Sequence, residues 1–219
     1  MPRRRSAYAG AVHVLPSGVA ALLLAAGEGR RLGMPKALLR DPDGLPWVER
    51  SARRLVSAGC DPVVVVVGAR AAEVAALVPP WLVPPEDVVE AAGWTEGMGA
   101  SLRAGLLALA ARAQVPDAVL VALVDTPGMT TDVVGRVAAA AAGGPSVLAR
   151  AAFDGVPGHP VLIGRDHWAA VRSVALGDAG ARRYLDNRQV RLVECADVGS
   201  GLDVDTRAAL VAVPPIVGP

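Results

Sequence analysis

The sequence predicts an α/β fold: a mostly parallel sheet covered by helices on both faces, in three layers. Three observations predict it. Continuous apolar runs occur at residues 19–24, 63–67 and 118–124, helix-like segments lie between them, and glycine or aspartate turns close the runs. A run that is apolar throughout, rather than alternating, suits a strand buried on two faces, as in a parallel sheet under helices. Strands alternating with helices give right-handed βαβ units. In such sheets ligands bind beyond the carboxyl ends of the strands. That rule selects two loops, one after Leu24 and one after Val124.

Taken in order, residues 1–18 carry Arg3, Arg4 and Arg5, followed by a short apolar stretch broken by His13 and Pro16. This is unlike a secretory leader and reads as a flexible arm. Strands are expected at 19–24, 62–68 and 118–124, with shorter ones at 88–90, 146–149, 160–163 and 190–193. Helices are expected at 46–58, 71–78, 98–113, 131–142, 179–187 and 207–211. The proline-rich stretch 79–85 reads as a stiff connector, and 212–219 as a tail. One domain over 19–211 accounts for the length, because two would each be small.

Composition narrows the function classes. The formal net charge is +1, which gives no bulk attraction for nucleic acid, so phosphate binding has to come from a local site. The longest aliphatic run, 63–67, is far short of the roughly 18 residues a membrane span requires. Cys60 and Cys195 stand far apart and outside any Cys-x-x-Cys pair, which argues against a disulfide framework or zinc site and favours a reducing, cytoplasmic setting. Of the 22 basic residues only Lys36 is lysine, and it lies in the glycine-rich segment after the first strand. A compact ammonium there suits a point contact with phosphate.

That segment runs Leu24-Ala25-Ala26-Gly27-Glu28-Gly29-Arg30-Arg31-Leu32-Gly33-Met34-Pro35-Lys36. Gly27, Gly29 and Gly33 let backbone amides approach a triphosphate, while Arg30, Arg31 and Lys36 neutralise phosphate oxygens and a departing pyrophosphate. A plain strand-to-helix turn with solvated arginines is the alternative. The loop lacks the Gly-Lys-Ser/Thr ending of a Walker A loop, and its glycine spacing departs from the dinucleotide fingerprint. Pro35 also disfavours helix at Met34.

Two acidic sites accompany the loop. Asp125, in Asp125-Thr126-Pro127, follows a central strand and is placed to hold Mg²⁺ against a nucleotide phosphate, although aspartate before proline also simply starts turns. Asp203 and Asp205 share one face of an extended segment. Two carboxylates on one face could serve a metal, with capping of the last helix by Asp205 or Thr206 as the competing role.

With these residues in view, the chain resembles the MobA-like nucleotidyltransferases, whose signature reads Leu-Ala-Ala/Gly-Gly-x-Gly-x-Arg-Met/Leu-Gly followed by Lys. Leu24-Ala25-Ala26-Gly27 is similar to the molybdenum cofactor cytidylyltransferase branch, which implies CTP rather than GTP. The resemblance covers most of residues 19–211 in five ordered elements and implies a Rossmann-like sheet of the nucleotide-diphospho-sugar transferase type. It implies Mg²⁺ on Asp125 and Asp205, although Arg207 stands where the family usually has proline. Residues 93–103 resemble Trp-x-x-Gly-Met-Gly-x-Ser-Leu, which puts Gly99, Ser101 and Arg103 at the acceptor. Gly158-His159-Pro160-Val161 matches Gly-x-Pro-Val on the acceptor side, and residues 177–182 resemble Gly-Asp-x-Gly-Ala-Arg, with Asp178 capping a helix and Arg182 facing an anion.

The expected enzyme is therefore an Mg-dependent NTP transferase that moves a cytidylyl group from CTP to a small phosphorylated acceptor, implied to be molybdopterin. Arg31, Lys36 and Asp125 are the catalytic candidates, and Leu24, Ala25, Ala26, Gly27, Gly29, Arg30 and Gly33 the nucleotide-binding ones. Two rivals stand beside it. One is an NAD(P)H-dependent oxidoreductase of the nicotine-blue reductase type, using the glycine loop for a dinucleotide. The other is a non-catalytic protein that delivers molybdenum cofactor to a molybdenum hydroxylase.

Overall fold

The computed structural model describes residues 18–203. The arm before Gly18, the helix expected at 207–211, Asp205 and the tail lie outside the described residues. Seven strands form one sheet: β1 (Val19–Ala25), β2 (Val63–Val67), β3 (Val88–Glu90), β4 (Ala118–Leu123), β5 (Leu148–Phe153), β6 (Val156–Gly164) and β7 (Arg191–Glu194). Their order is β3-β2-β1-β4-β6-β5-β7. All neighbours are parallel except β6, which runs antiparallel to both β4 and β5.

The core explains the apolar runs. Every residue of β1, β2 and β4 is buried. Leu22 and Leu23 point to opposite faces, each fully enclosed, and each such leucine stabilises the fold by about 2 kcal/mol. One face is covered by α1 (Trp47–Ser57), α2 (Ala71–Ala76) and α4 (Thr131–Ala138). The other is covered by α3 (Met98–Ala110), α5 (Trp168–Val174) and α6 (Arg182–Leu185). Among the described residues no helix is long and apolar enough to cross a membrane.

Three departures from the sequence reading have local causes. The strands expected at 146–149 and 160–163 are the outer parts of one hairpin. It turns at Asp154 and Gly155, both at positive φ (52° and 77°), as a two-residue hairpin turn favours. The helix expected at 179–187 shrinks to the four residues of α6, because Gly180 adopts φ 51°, ψ −127°, which no helix continues through. Helix α5 was not expected; it is seven residues long, anchored by Trp168 and Val171, with the indole Nε1 donating to the Ile163 carbonyl at 3.0 Å.

Candidate active site

The loop after β1 is fixed by its glycines. Gly29 has φ +67°, and a Cβ there would lie 1.9 Å from the Met34 carbonyl oxygen. The Gly29 carbonyl accepts from the amides of Leu32 and Gly33, both at 2.9 Å. No α-helix opens here. Pro35 leads into a short 3-10 turn, Lys36–Leu38, and α1 begins only at Trp47.

This turn sends Lys36 across the mouth of the sheet. Its Nζ donates to Oδ2 of Asp125 at 2.6 Å, in a pair whose side chains are only 15% and 21% exposed. The turn carrying Asp125 is fastened on two sides. Thr126 Oγ1 donates to the Leu123 carbonyl at 2.8 Å, and Arg54, reaching up from α1, donates to the Pro127 carbonyl at 2.8 Å. Burial, reinforced by nearby Arg50, brings the Arg54 guanidinium down to about 10. Oδ1 of Asp125 is buried and has no hydrogen-bond partner among the described residues.

An acceptor-only oxygen held in this way is a fitting ligand for a divalent cation. Among the described residues no three His, Cys, Asp or Glu side chains form a cluster that could hold a metal. A further carboxylate is nevertheless carried toward this turn. The amide of Ser200 donates to the Gly128 carbonyl at 3.1 Å, and Thr130 Oγ1 to the Val198 carbonyl at 2.8 Å, so the segment ending at exposed Asp203 lies against the Asp125 turn.

Together these elements enclose a cleft of about 410 Å³. Leu24, Ala26, Gly27, Gly29, Arg30, Arg31 and Lys36 line one side, and Asp125 the floor. Ala25 is turned into the core on the α1 face, and Gly33 lies outside the wall. Arg30 sits at the rim, hydrogen-bonded to Glu28 at 2.9 Å, with side chains 80% and 51% exposed.

The opposite wall is Trp94, Thr95, Glu96, Gly97, Met98 and Ser101, with Asp178 beside them. Of the residues expected at the acceptor, Ser101 faces this cleft directly across from the glycine loop. Arg103 does not line it; it donates to Glu96 at 2.6 Å and to the Ala175 carbonyl. Gly99 packs against that same carbonyl, where a Cβ would come within 2.5 Å. Asp178 caps no helix: α6 has Ala181 at its N-cap and no side-chain cap, and Asp178 sits in a 3-10 turn at the cleft. No residue pattern announced its arrival there, since only the tertiary packing of that turn on Gly97 places it.

Gly158 and His159, both half-buried, immediately precede the buried part of β6 and lie outside the cleft wall. Burial pushes the His159 ring below its usual range, and the neighbouring Arg150 cation adds to this. The Val121 backbone and Asp125 pull the other way. Its Nδ1 is buried without a hydrogen-bond partner among the described residues. Arg182, at the start of α6, is 80% exposed and lies 3.9 Å from Asp186.

Residues 21–193 match the profile of the MobA-like NTP transferase domain. The nicotine blue oxidoreductase of Paenarthrobacter nicotinovorans is 39% identical over 198 residues, covering 86% of this chain and 92% of that protein. The crystal structure of Rv0371c from Mycobacterium tuberculosis H37Rv superposes with a TM-score of 0.73 at 25% identity, over 90% of this chain and 97% of that one. The same protein solved in complex with manganese gives 0.71 at 22% identity, over 92% and 100%. A nucleotidyl transferase from Methanothermobacter thermautotroptrophicus shares the fold, with a TM-score of 0.73 at 23% identity over 90% of this chain and 96% of that one.

Proposed function

The chain belongs to the MobA-like NTP transferase family, and from that premise we propose that it transfers a cytidylyl group from CTP to a phosphorylated acceptor, molybdopterin, in the cytoplasm. The observation that carries the reading is the Lys36–Asp125 pair at the mouth of the sheet, with Oδ1 of Asp125 buried beside the glycine loop and without a hydrogen-bond partner among the described residues. A dinucleotide reductase has no evident use for a carboxylate aimed there.

An acceptor phosphate oxygen attacks the α-phosphorus of CTP, the bond from that phosphorus to the bridging oxygen of the β-phosphate breaks, and pyrophosphate leaves. The attacking phosphate is already ionised near neutral pH, so positioning and charge neutralisation account for the catalysis. Asp125, with Asp203 or Asp205 as a second ligand, would hold Mg²⁺, which when bound supplies Lewis-acid stabilisation of phosphate charge. Lys36 and Arg31 neutralise the departing pyrophosphate, and the amides around Gly27 and Gly29 meet the triphosphate. The manganese complex of Rv0371c supports a divalent ion in this fold.

Ala26 and Ser101, both lining the cleft, suit the nucleotide. Gly158, His159 and Arg182 remain for the acceptor. Gly99 and Arg103 instead fix the packing of α3 on the end of α5.

A second reading is favoured by one observation, the 39% identity to a nicotine blue oxidoreductase over nearly the whole chain. One experiment separates the two: the purified chain with Mg²⁺ and each nucleoside triphosphate, with molybdenum cofactor supplied, followed by nucleotide affinity and pyrophosphate release. Selective CTP binding with pyrophosphate release supports cytidylyl transfer. Indifference to CTP together with tight NADPH binding overturns it in favour of the reductase. CTP binding without pyrophosphate release points to a delivery protein for a molybdenum hydroxylase.

A further inference from the structure

We propose that Arg150, with Arg182 beside it, forms a second anion subsite on the β5–β6 side of the cleft, separate from the glycine loop, which takes the phosphate monoester of the acceptor. It rests on the transferase reading only in naming the anion as the acceptor's.

Alternation along the hairpin sets the face. Ala149 and Ala151 are buried toward α1 and α4, whereas Leu148, Val161 and Ile163 pack toward α3, α5 and α6. Arg150 and His159 therefore share this second face. In register, Arg150 and Val121 both pair with Val161. The Arg150 side chain then reaches three residues further, to the carbonyl of Gly158, which accepts from Nε at 3.2 Å and Nη2 at 3.1 Å. Because β6 runs antiparallel to β4, Gly158 lies toward the carboxyl end of β4, where Asp125 stands. The guanidinium is thus directed to the ligand edge of the sheet.

Its electrostatic setting calls for an anion. Arg150 is half-buried, and burial is the main influence lowering its pKa. Among the described residues it forms no salt bridge, and its Nη1 has no hydrogen-bond partner. Asp186 stabilises the charge from a distance, but the Arg182 cation opposes it. His159 is disfavoured as a cation by burial and by Arg150 itself, so it remains an uncharged neighbour near pH 7. Among the described residues one acid, Asp186, is set against both arginines, 3.9 Å from Arg182 and further from Arg150, and a dianionic phosphate would balance the remaining positive charge through the guanidinium edge.

The test loads the full chain with a non-hydrolysable CTP analogue, so that the glycine loop is filled, and titrates inorganic phosphate by calorimetry. The wild type is expected to bind one phosphate. Arg150→Gln should weaken that binding at least about tenfold, the loss of one charge-assisted contact, and Arg150→Lys should restore part of it. Both variants should hold the CTP analogue within about twofold of wild type. Unchanged phosphate affinity in Arg150→Gln, an equal loss of analogue affinity, or no phosphate binding by the wild type would overturn the subsite. Phosphate binding that depends on Arg150 in a chain indifferent to the analogue would sink the cytidylyl reading and leave the subsite standing. If Arg150→Gln fails to fold by thermal melting, exposed Arg182→Gln decides: a several-fold weaker phosphate supports the subsite, and no change overturns it.

Discussion

On its glycine-loop side the cleft rests on β1, buried over its whole length, whereas its far side rests on β6, which begins with exposed Val156 and Pro157. The loop side is bound inward: Gly29 is wedged on the Met34 carbonyl, and Lys36 is drawn onto Asp125. On the far side Arg182 is open to solvent, its nearest acid 3.9 Å away. The contrast teaches that one half is built to hold a single geometry, as charge stabilisation at a reacting phosphorus requires. The other half can change its side chains without disturbing the core.

The contrast is broken most directly at Asp125. Asp125→Asn and Lys36→Ala should each lower pyrophosphate release at least about a hundredfold, on the scale of one preorganised charge contact. A turnover loss of less than threefold in both would remove the pair from the chemistry. Next in size, Gly29→Ala should cost about 1–3 kcal/mol through the positive φ and the clash with Met34, lowering both Tm and nucleotide affinity. Arg182→Ala, on the yielding side, should raise the acceptor KM about three- to tenfold and leave the CTP KM alone.

A smaller effect reports on the far side through pH. The folded-state pKa of His159 lies below the ordinary histidine value of 6.5, chiefly through burial, so the unfolded chain binds more protons as the pH falls through that region. The stabilisation from neutral His159 is complete above about 6.5 and declines as pH drops toward the lowered value. His159→Asn should flatten the fall of Tm below pH 6.5, and a wild-type Tm that does not change from pH 7 to 5 would contradict this. Smallest of all, Arg30→Ala should change turnover by no more than about twofold, because its exposed pair with Glu28 is screened by water.

The sheet was legible because parallel strands buried on two faces announce themselves as unbroken apolar runs. Asp154-Gly155 was legible in principle as a hairpin turn, yet the β5–β6 pair was read as two short strands. Helix α5 is too brief for periodicity to separate it from a loop. At the site, Lys36 and Asp125 were each singled out, but 89 residues separate them and only the fold joins them. Arg150 left no local signal: between small buried alanines it reads as an interruption of a strand, and its meaning comes from Gly158 and Arg182 on other elements.

The Lys36–Asp125 contact also bears on the order in which ligands arrive. The Lys36 ammonium occupies one oxygen of the Asp125 carboxylate and offsets its charge, which on the proposed mechanism would lower the attraction of Asp125 for a free cation. On the proposed mechanism a triphosphate would draw Lys36 toward itself and release that oxygen. Nucleotide and metal thereby become linked, each binding better in the presence of the other by the same factor. On that mechanism the site would take a divalent ion together with the nucleotide rather than alone.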